Sequence, residues 1–233
     1  MRRNYRQPRN EPLEHGGGNE RGTALLCALM VTALLTTLGA SLVMVVITET
    51  LVGAHHRASH EALYGAEAGI ERAIGELRQM AAWQAVPAAG TATALPELND
   101  GTLTPALPDG RRLDLVRLTA DRQAESDRFY PDTPDRPAWR LFGHTSLDRL
   151  IAGDAGTAPP YIIVWIADDP ADLDGDPARD SNDILLVRCE ASGARAMHRA
   201  IEAAIRRQST LDAAGAGGAM RSDVNVIAWR EVR

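Results

Sequence analysis

Residues 23–48 read TALLCALMVTALLTTLGASLVMVVIT, and this stretch decides the fold. It contains 26 residues without one charged side chain. About 20 consecutive apolar residues are enough for a helix to cross the hydrocarbon core of a bilayer. A helix of this length with no polar face is unusual in the core of a soluble protein. The stretch therefore predicts a transmembrane helix.

The residues on either side of this run predict its direction in the membrane. Glu49 follows the run directly, whereas several arginines precede it. These are Arg2, Arg3, Arg6, Arg9 and Arg21. Because positive residues stay on the cytoplasmic side, we expect a cytoplasmic N-terminus, an inner-membrane helix and a periplasmic C-terminal part. Two other interpretations stay open: a secretory signal peptide cut after Ala40, and a single-pass anchor that is never processed.

The helix is expected to continue past the membrane, because no proline occurs between Thr48 and Pro87. Apolar residues recur there in steps of three and four, which is the period of one helical face. They are Leu63, Ala66, Ile70, Ala73, Ile74, Leu77 and Ala81. Residues 49–83 therefore predict an amphipathic half of the same helix, whose apolar stripe another element must cover. Gly65 and Gly69 either permit a close approach of that element or are merely tolerated.

The residues after the helix predict a linker followed by a β-rich domain at 111–233. Residues 84–110 are rich in Pro, Ala, Gly and Thr, as linkers are, and residues 121–137 predict a charged surface loop. Ser146 is expected to cap a short helix that Gly153 ends. The predicted strands are 111–119, 137–144, 161–168, 183–190 and 225–232.

Residues 194–207 fit two kinds of secondary structure. Met197, Ile201, Ala204 and Ile205 fit one face of a helix, and Met197, Ile201 and Ile205 alternate as in a strand. In either case, we expect an antiparallel sheet of about four or five strands that packs on the apolar stripe of the helix. This arrangement is an α+β fold.

Two segments near the two ends of the long helix resemble those of a known family. GNERGTALLCALMV (18–31) and YGAEAGIERAIGEL (64–77) resemble PilX-type minor pilins, which take part in type IV pilus assembly. The resemblance covers residues 19–80 and implies a pilin-like fold, with a strand rather than a helix at 194–207. It also implies that a prepilin peptidase removes the basic leader, residues 1–22, after Gly22. Thr23 would then become the mature N-terminus, which this family methylates.

The same resemblance implies what the apolar half of the helix, residues 23–48, does. It is held in the inner membrane until the subunit enters a filament, where it packs against other pilins or minor pilins. The residues expected to make these contacts are Leu25, Leu26, Cys27, Leu29, Leu34, Leu35, Leu38 and Leu42.

The sequence departs from the pattern of major pilins at Cys27. Counted from Thr23, Cys27 occupies the fifth mature position, where major pilins carry a glutamate. That glutamate is thought to pair with a neighbour's N-terminal amine, because an unpaired carboxylate is costly in an apolar setting. Its absence argues against a main repeating subunit. A low-copy minor pilin fits, and so does the tip pseudopilin of a type II secretion system.

An acidic loop lies between the two clearest strands. Its sequence, ADDPADLDGDPARDSND, carries seven aspartates within residues 168–183. Calcium takes about six to eight oxygen ligands, and alternating aspartates around a glycine suit a tight ion-binding loop. The expected calcium ligands are Asp172, Asp174, Asp176, Asp180 and Asp183. A solvated acidic loop without an ion remains the alternative.

Composition and motifs narrow the remaining functions. A net charge of −6 does not suggest nucleic-acid binding. The chain carries none of the common nucleophile, phosphate-binding or zinc-protease motifs, so we do not expect an enzyme. Calcium is the one cofactor that the sequence suggests. The rival from another class is an uncut, membrane-tethered periplasmic protein that binds a ligand or senses calcium.

Overall fold

The computed structural model describes residues 19–80, 82–89, 98–131, 133–151, 158–193, 197–211 and 220–232. The chain divides into two compact units, residues 1–53 and residues 54–233. The boundary falls within the first helix, α1, which covers Asn19–Leu77.

The part of α1 in the first unit is apolar and exposed on every side. Among the described residues, it supplies the one helix that is long and apolar enough to cross a membrane. Several of its hydroxyl side chains are satisfied within the helix itself. Thr36, Ser41 and Thr48 each donate a hydrogen bond to the carbonyl four residues earlier. A helix that satisfies its own polar groups in this way suits an environment without water.

The second unit is built on a five-stranded antiparallel sheet, with the strands in the order in which they occur in the chain. The strands are β1 (Arg140–Ser146), β2 (Tyr161–Asp168), β3 (Ile184–Ser192), β4 (His198–Leu211) and β5 (Met220–Val232). The expected strands at 137–144, 161–168, 183–190 and 225–232 are therefore confirmed, with small differences at their ends. Residues 198–207 form a strand, as the resemblance implied, rather than a helix.

One face of the sheet is covered by the amphipathic part of α1. Ala62, Ala66, Ile70, Ala73, Ile74 and Leu77 are buried in one core with residues of β2, β3 and β4. The predicted apolar stripe is thus confirmed, with Leu63 half-buried at its margin and Ala81 outside the described residues. This arrangement of a long N-terminal helix on an antiparallel sheet is the expected α+β fold.

α1 ends at Leu77, earlier than the predicted end at Trp83. After Leu77 the backbone tightens, since the N–H groups of Gln79 and Met80 donate to carbonyls three residues back. The buried Trp83 indole then donates to the Leu77 carbonyl at 3.1 Å. The Leu77 carbonyl at the end of the helix thus accepts from both the Met80 N–H and the Trp83 indole.

A second layer covers the opposite face of the sheet and was not predicted. Residues Leu115–Phe129 form a helix, α3, so the expected strand at 111–119 and most of the expected loop at 121–137 are wrong. Asp114 caps this helix by accepting a 3.0 Å hydrogen bond from the Arg117 N–H. Leu115 lies in a second core with Trp139, Ile163 and Trp165. The sheet is therefore sandwiched between α1 and α3.

Two shorter segments complete the second unit. Residues 84–110, expected as a linker, include a short helix, α2 (Val86–Ala89), and the buried side chains of Leu98 and Leu107. Leu147–Arg149 form a single 3-10 turn after Ser146, whose side chain makes no capping bond. The expected stop at Gly153 lies outside the described residues.

Candidate functional site

The acidic loop joins β2 to β3 and is folded by its own aspartates. The backbone N–H and the hydroxyl of Ser181 both donate to Asp172, each at 2.6 Å. Asp169 accepts from the Ala171 N–H at 2.9 Å and from the Asn182 amide at 2.8 Å. Gly175 has a φ of 79°, which permits the sharp turn that its position in the sequence suggested.

Three carboxylates converge where β2 enters this loop. Asp168, Asp172 and Asp174 each offer one oxygen, and these oxygens all lie within 4.8 Å of one another. Asp168 is completely buried, and neither of its carboxylate oxygens has a hydrogen-bond partner. Asp180 is also buried and leaves its Oδ2 without a partner. The loop thus directs several acceptor oxygens toward the end of β2.

Burial and mutual repulsion set the protonation of these groups. Burial, followed by the charges of Asp172, Asp180 and Asp169, raises the pKa of Asp168 to about 8. Burial likewise raises the pKa of Asp180. For Asp172, burial also acts to raise the pKa, but the hydrogen bonds from Ser181 outweigh it and hold the pKa below its ordinary value.

The structure places the five predicted calcium ligands in different situations. Asp172 and Asp174 belong to the converging group. Asp180 is buried with one unpaired oxygen. Asp176 is exposed and accepts from the Ala178 N–H at 3.1 Å, and Asp183 forms an ion pair with Arg207.

The sequence prediction did not include Asp168 among the ligands. The signal for it was the position of Asp168 as the last residue of a strand that is otherwise entirely apolar. β2 is buried along its whole length, so a carboxylate that continues the strand is buried too. A buried carboxylate requires a donor or a cation.

The predicted processing site and filament residues lie in the first part of α1. Gly22 lies within the helix, and a side chain added there would meet nothing within 4 Å. Thr23 is the next residue of the same helix. The predicted contact residues of the apolar half are all exposed: Leu25, Leu26, Cys27, Leu29, Leu34, Leu35, Leu38 and Leu42.

A pair of histidines lies just beyond the apolar run. The Nε2 atoms of His56 and His60 are 3.1 Å apart, and both side chains are exposed. No carboxylate accompanies them within a zinc-protease motif, so the pair does not define a catalytic metal site.

No family model, curated protein or solved structure matches the chain significantly. The structure shows a long helix on an antiparallel sheet, and this arrangement is compatible with a pilin-like fold. Membership of the PilX-type family stays a prediction from the sequence.

Proposed function

We propose that the chain is a minor pilin-like structural subunit that takes part in type IV pilus assembly. The observation that supports this best is the contrast between the two parts of α1. Its first part is an apolar helix with no partner among the described residues, and its second part is buried on an antiparallel sheet. A subunit that is first held in lipid and then packed into a bundle of helices requires both parts.

The exposed part of α1 is suited to leave lipid for a helix bundle. Leu25, Leu34 and Leu42 are each more than half exposed, so their apolar surface needs cover from lipid or from other helices. Gly39, Ala40 and Ser41 form a run of small residues in the middle of the stretch. Small residues permit close approach between helices inside a membrane. In this proposal the partners are the inner membrane first, and other pilins or minor pilins afterwards.

The position of Cys27 favours a low-copy subunit. A cysteine cannot form the charged contact that a glutamate makes with a neighbour's N-terminal amine. The subunit therefore occupies a place where that contact is dispensable. The tip of a type II secretion filament meets the same condition, and Cys27 is the observation that favours this second candidate.

The processing step separates a pilin from a tethered protein. The full chain is expressed in cells with and without a prepilin peptidase. Its intact mass is then measured in the isolated membranes. We expect the peptidase to remove residues 1–22, so that the mature chain begins at Thr23. Replacing Gly22 by valine should block this step. Gly39→Val is the matched control, since neither glycine has a neighbour within 4 Å that an added side chain would meet.

The outcomes of this experiment are distinct. A full-length chain in both membranes would refute the pilin proposal and favour the uncut, tethered protein. A soluble product that begins near Ser41 would identify a secretory signal peptide instead. If the chain is trimmed at Gly22, its presence in sheared pili or in a secretion filament decides between the two filament systems.

A further inference from the structure

We propose that the end of β2 and the loop after it form a calcium-binding site, with Asp168, Asp172 and Asp174 as the carboxylate ligands. Asp180, whose charge acts on Asp168, is buried and leaves a further oxygen unpaired. The inference is independent of the filament function, because it rests on the second unit alone.

Asp168 is the residue that points to a ligand. Its side chain is fully buried, both oxygens lack a hydrogen-bond partner, and one of them faces the oxygens of Asp172 and Asp174. The charged groups that act on it are the carboxylates of Asp172, Asp180 and Asp169. Leaving a buried polar group without a hydrogen-bond partner destabilises the fold, and a charged group does so more strongly. A cation between these carboxylates would remove that cost.

The hydrogen bonds of the loop hold the ligands in place without consuming this site. Ser181 positions Asp172 through two short bonds, and Asn182 positions Asp169. These bonds fix the shape of the loop, as supporting contacts around a metal site do. They leave Asp168 and the Oδ2 of Asp180 unsatisfied. A loop that only connected two strands in solvent would not require the fully buried carboxyl group of Asp168 at its start.

The chemistry of the ligands favours calcium over other ions. The converging atoms are carboxylate oxygens, which are hard ligands, and the group contains neither histidine nor cysteine. Calcium accepts about six to eight oxygens in irregular geometry, whereas magnesium demands a near-ideal octahedron and keeps its waters. An irregular loop with several carboxylates fits the first ion better. Backbone carbonyls and water would complete the coordination.

Calorimetry and thermal unfolding of the full chain test this proposal. The chain is purified in detergent, stripped with a chelator and titrated with calcium chloride, and a magnesium titration runs in parallel. We expect one calcium ion per chain, weaker magnesium binding, and a melting temperature that rises with calcium concentration. Asp168→Asn should abolish this rise. It should leave the calcium-free chain at least as stable as the wild type, because a neutral amide avoids the burial cost and the repulsion that raise the pKa of the Asp168 carboxyl group.

Two further variants keep the result interpretable. Asp176→Asn is the matched control, since Asp176 belongs to the same loop but not to the converging group, and it should bind calcium as the wild type does. Asp174→Asn changes an exposed ligand and keeps an acceptor for the Asp176 N–H. It should weaken calcium binding by about tenfold or more, because the number of charged ligands sets affinity. The proposal is overturned if the wild type shows no heat and no melting shift in millimolar calcium. It is equally overturned if the Asp168→Asn or Asp174→Asn chain binds calcium as the wild type does.

Discussion

Gly69 of α1 lies directly against Cys189 of β3. A Cβ atom added at Gly69 would overlap the Sγ of Cys189 and would lie 2.7 Å from the Cγ2 of Ile162. The absence of a side chain at Gly69 is therefore what lets the helix lie this close to the sheet. Gly69 belongs to the segment YGAEAGIERAIGEL (64–77), on which the family resemblance rests in part, and it has a packing role here.

Replacing Gly69 by alanine should destabilise the second unit. Overpacking of a core costs about 1–3 kcal/mol, which exceeds the roughly 0.5–1 kcal/mol that alanine gains over glycine in a helix. Gly75→Ala is the control, because an added side chain there meets nothing within 4 Å, and it should stabilise the chain slightly. The measurement is the free energy of unfolding in detergent. Equal gains for both variants would contradict the close contact.

A second substitution tests whether the contact is with Cys189. Cys189→Ala removes the sulfur atom that an added Cβ at Gly69 would overlap. The double variant Gly69→Ala, Cys189→Ala should therefore lose less stability than the sum of the two single losses. Such non-additivity is expected for residues that touch. If the losses of stability are strictly additive, the destabilisation by Gly69→Ala does not come from contact with Cys189.

The cap of α3 offers a separate test of the layer that the sequence did not predict. Asp114→Ala should lower the free energy of unfolding by about 0.5–2 kcal/mol, because the Arg117 N–H loses its acceptor. Asp114→Asn should cost little, since asparagine caps helices as well as aspartate does. Asp121→Ala, an exposed change within the same helix, should be neutral or slightly stabilising. Equal losses for the alanine variants at both positions would argue against the cap.

The difference between prediction and structure at α3 has a physical cause. RRLDLVRLT (111–119) alternates as a strand does, and the N-cap signal of Asp114 is short. The decisive information was in β2, where Ile162 and Ile163 are both buried although they point to opposite faces. A strand that is apolar on both faces requires cover on both sides. That requirement predicts a second layer, although it does not identify the segment that forms it.

The acidic loop shows the same limit. The sequence predicted the position of the loop and the turn at Gly175, and two of its predicted ligands, Asp172 and Asp174, lie in the converging group. It did not predict Asp168, or that Asp183 pairs with Arg207 of β4. The ion pair depends on the register of β3 against β4, which no local pattern gives, whereas the burial of Asp168 follows from its place at the end of a buried strand. The strands and the stripe on α1 were predictable because their periodicity is local.

His144 predicts how stability changes with pH. Its Nδ1 lies 2.9 Å from the Tyr161 hydroxyl and 3.2 Å from a carboxylate oxygen of Asp100. Burial lowers the pKa of His144 below its ordinary value of 6.5, and the charge of Asp100 opposes this only in part. The unfolded chain therefore binds a proton more readily than the folded chain does. The contribution of His144 to stability is present above pH 6.5 and is lost as the pH falls below it.

Urea unfolding between about pH 7.5 and 5.5 measures this effect. His144→Asn is the comparison, because asparagine keeps a donor near the position of Nδ1 but does not titrate. The wild type should lose more stability over this range than the variant, whatever their difference at pH 7.5. Groups that both chains share cancel in the comparison. Parallel pH profiles would show that His144 is not the titrating group.

The apolar run of α1 leads to a prediction that exposure alone would not give. Leu35 in α1 and Val116 in α3 are similarly exposed, at 61% and 64%. If both faced water, replacing either by arginine would be harmless. A charge near the middle of a transmembrane helix instead costs about 2.5–3.5 kcal/mol on insertion scales, so Leu35→Arg should reduce membrane insertion. Val116→Arg should leave it unchanged, because Val116 lies outside the apolar run. Resistance of the chain to alkaline extraction from membranes measures insertion, and equal resistance of both variants would argue that residues 23–48 do not span the bilayer.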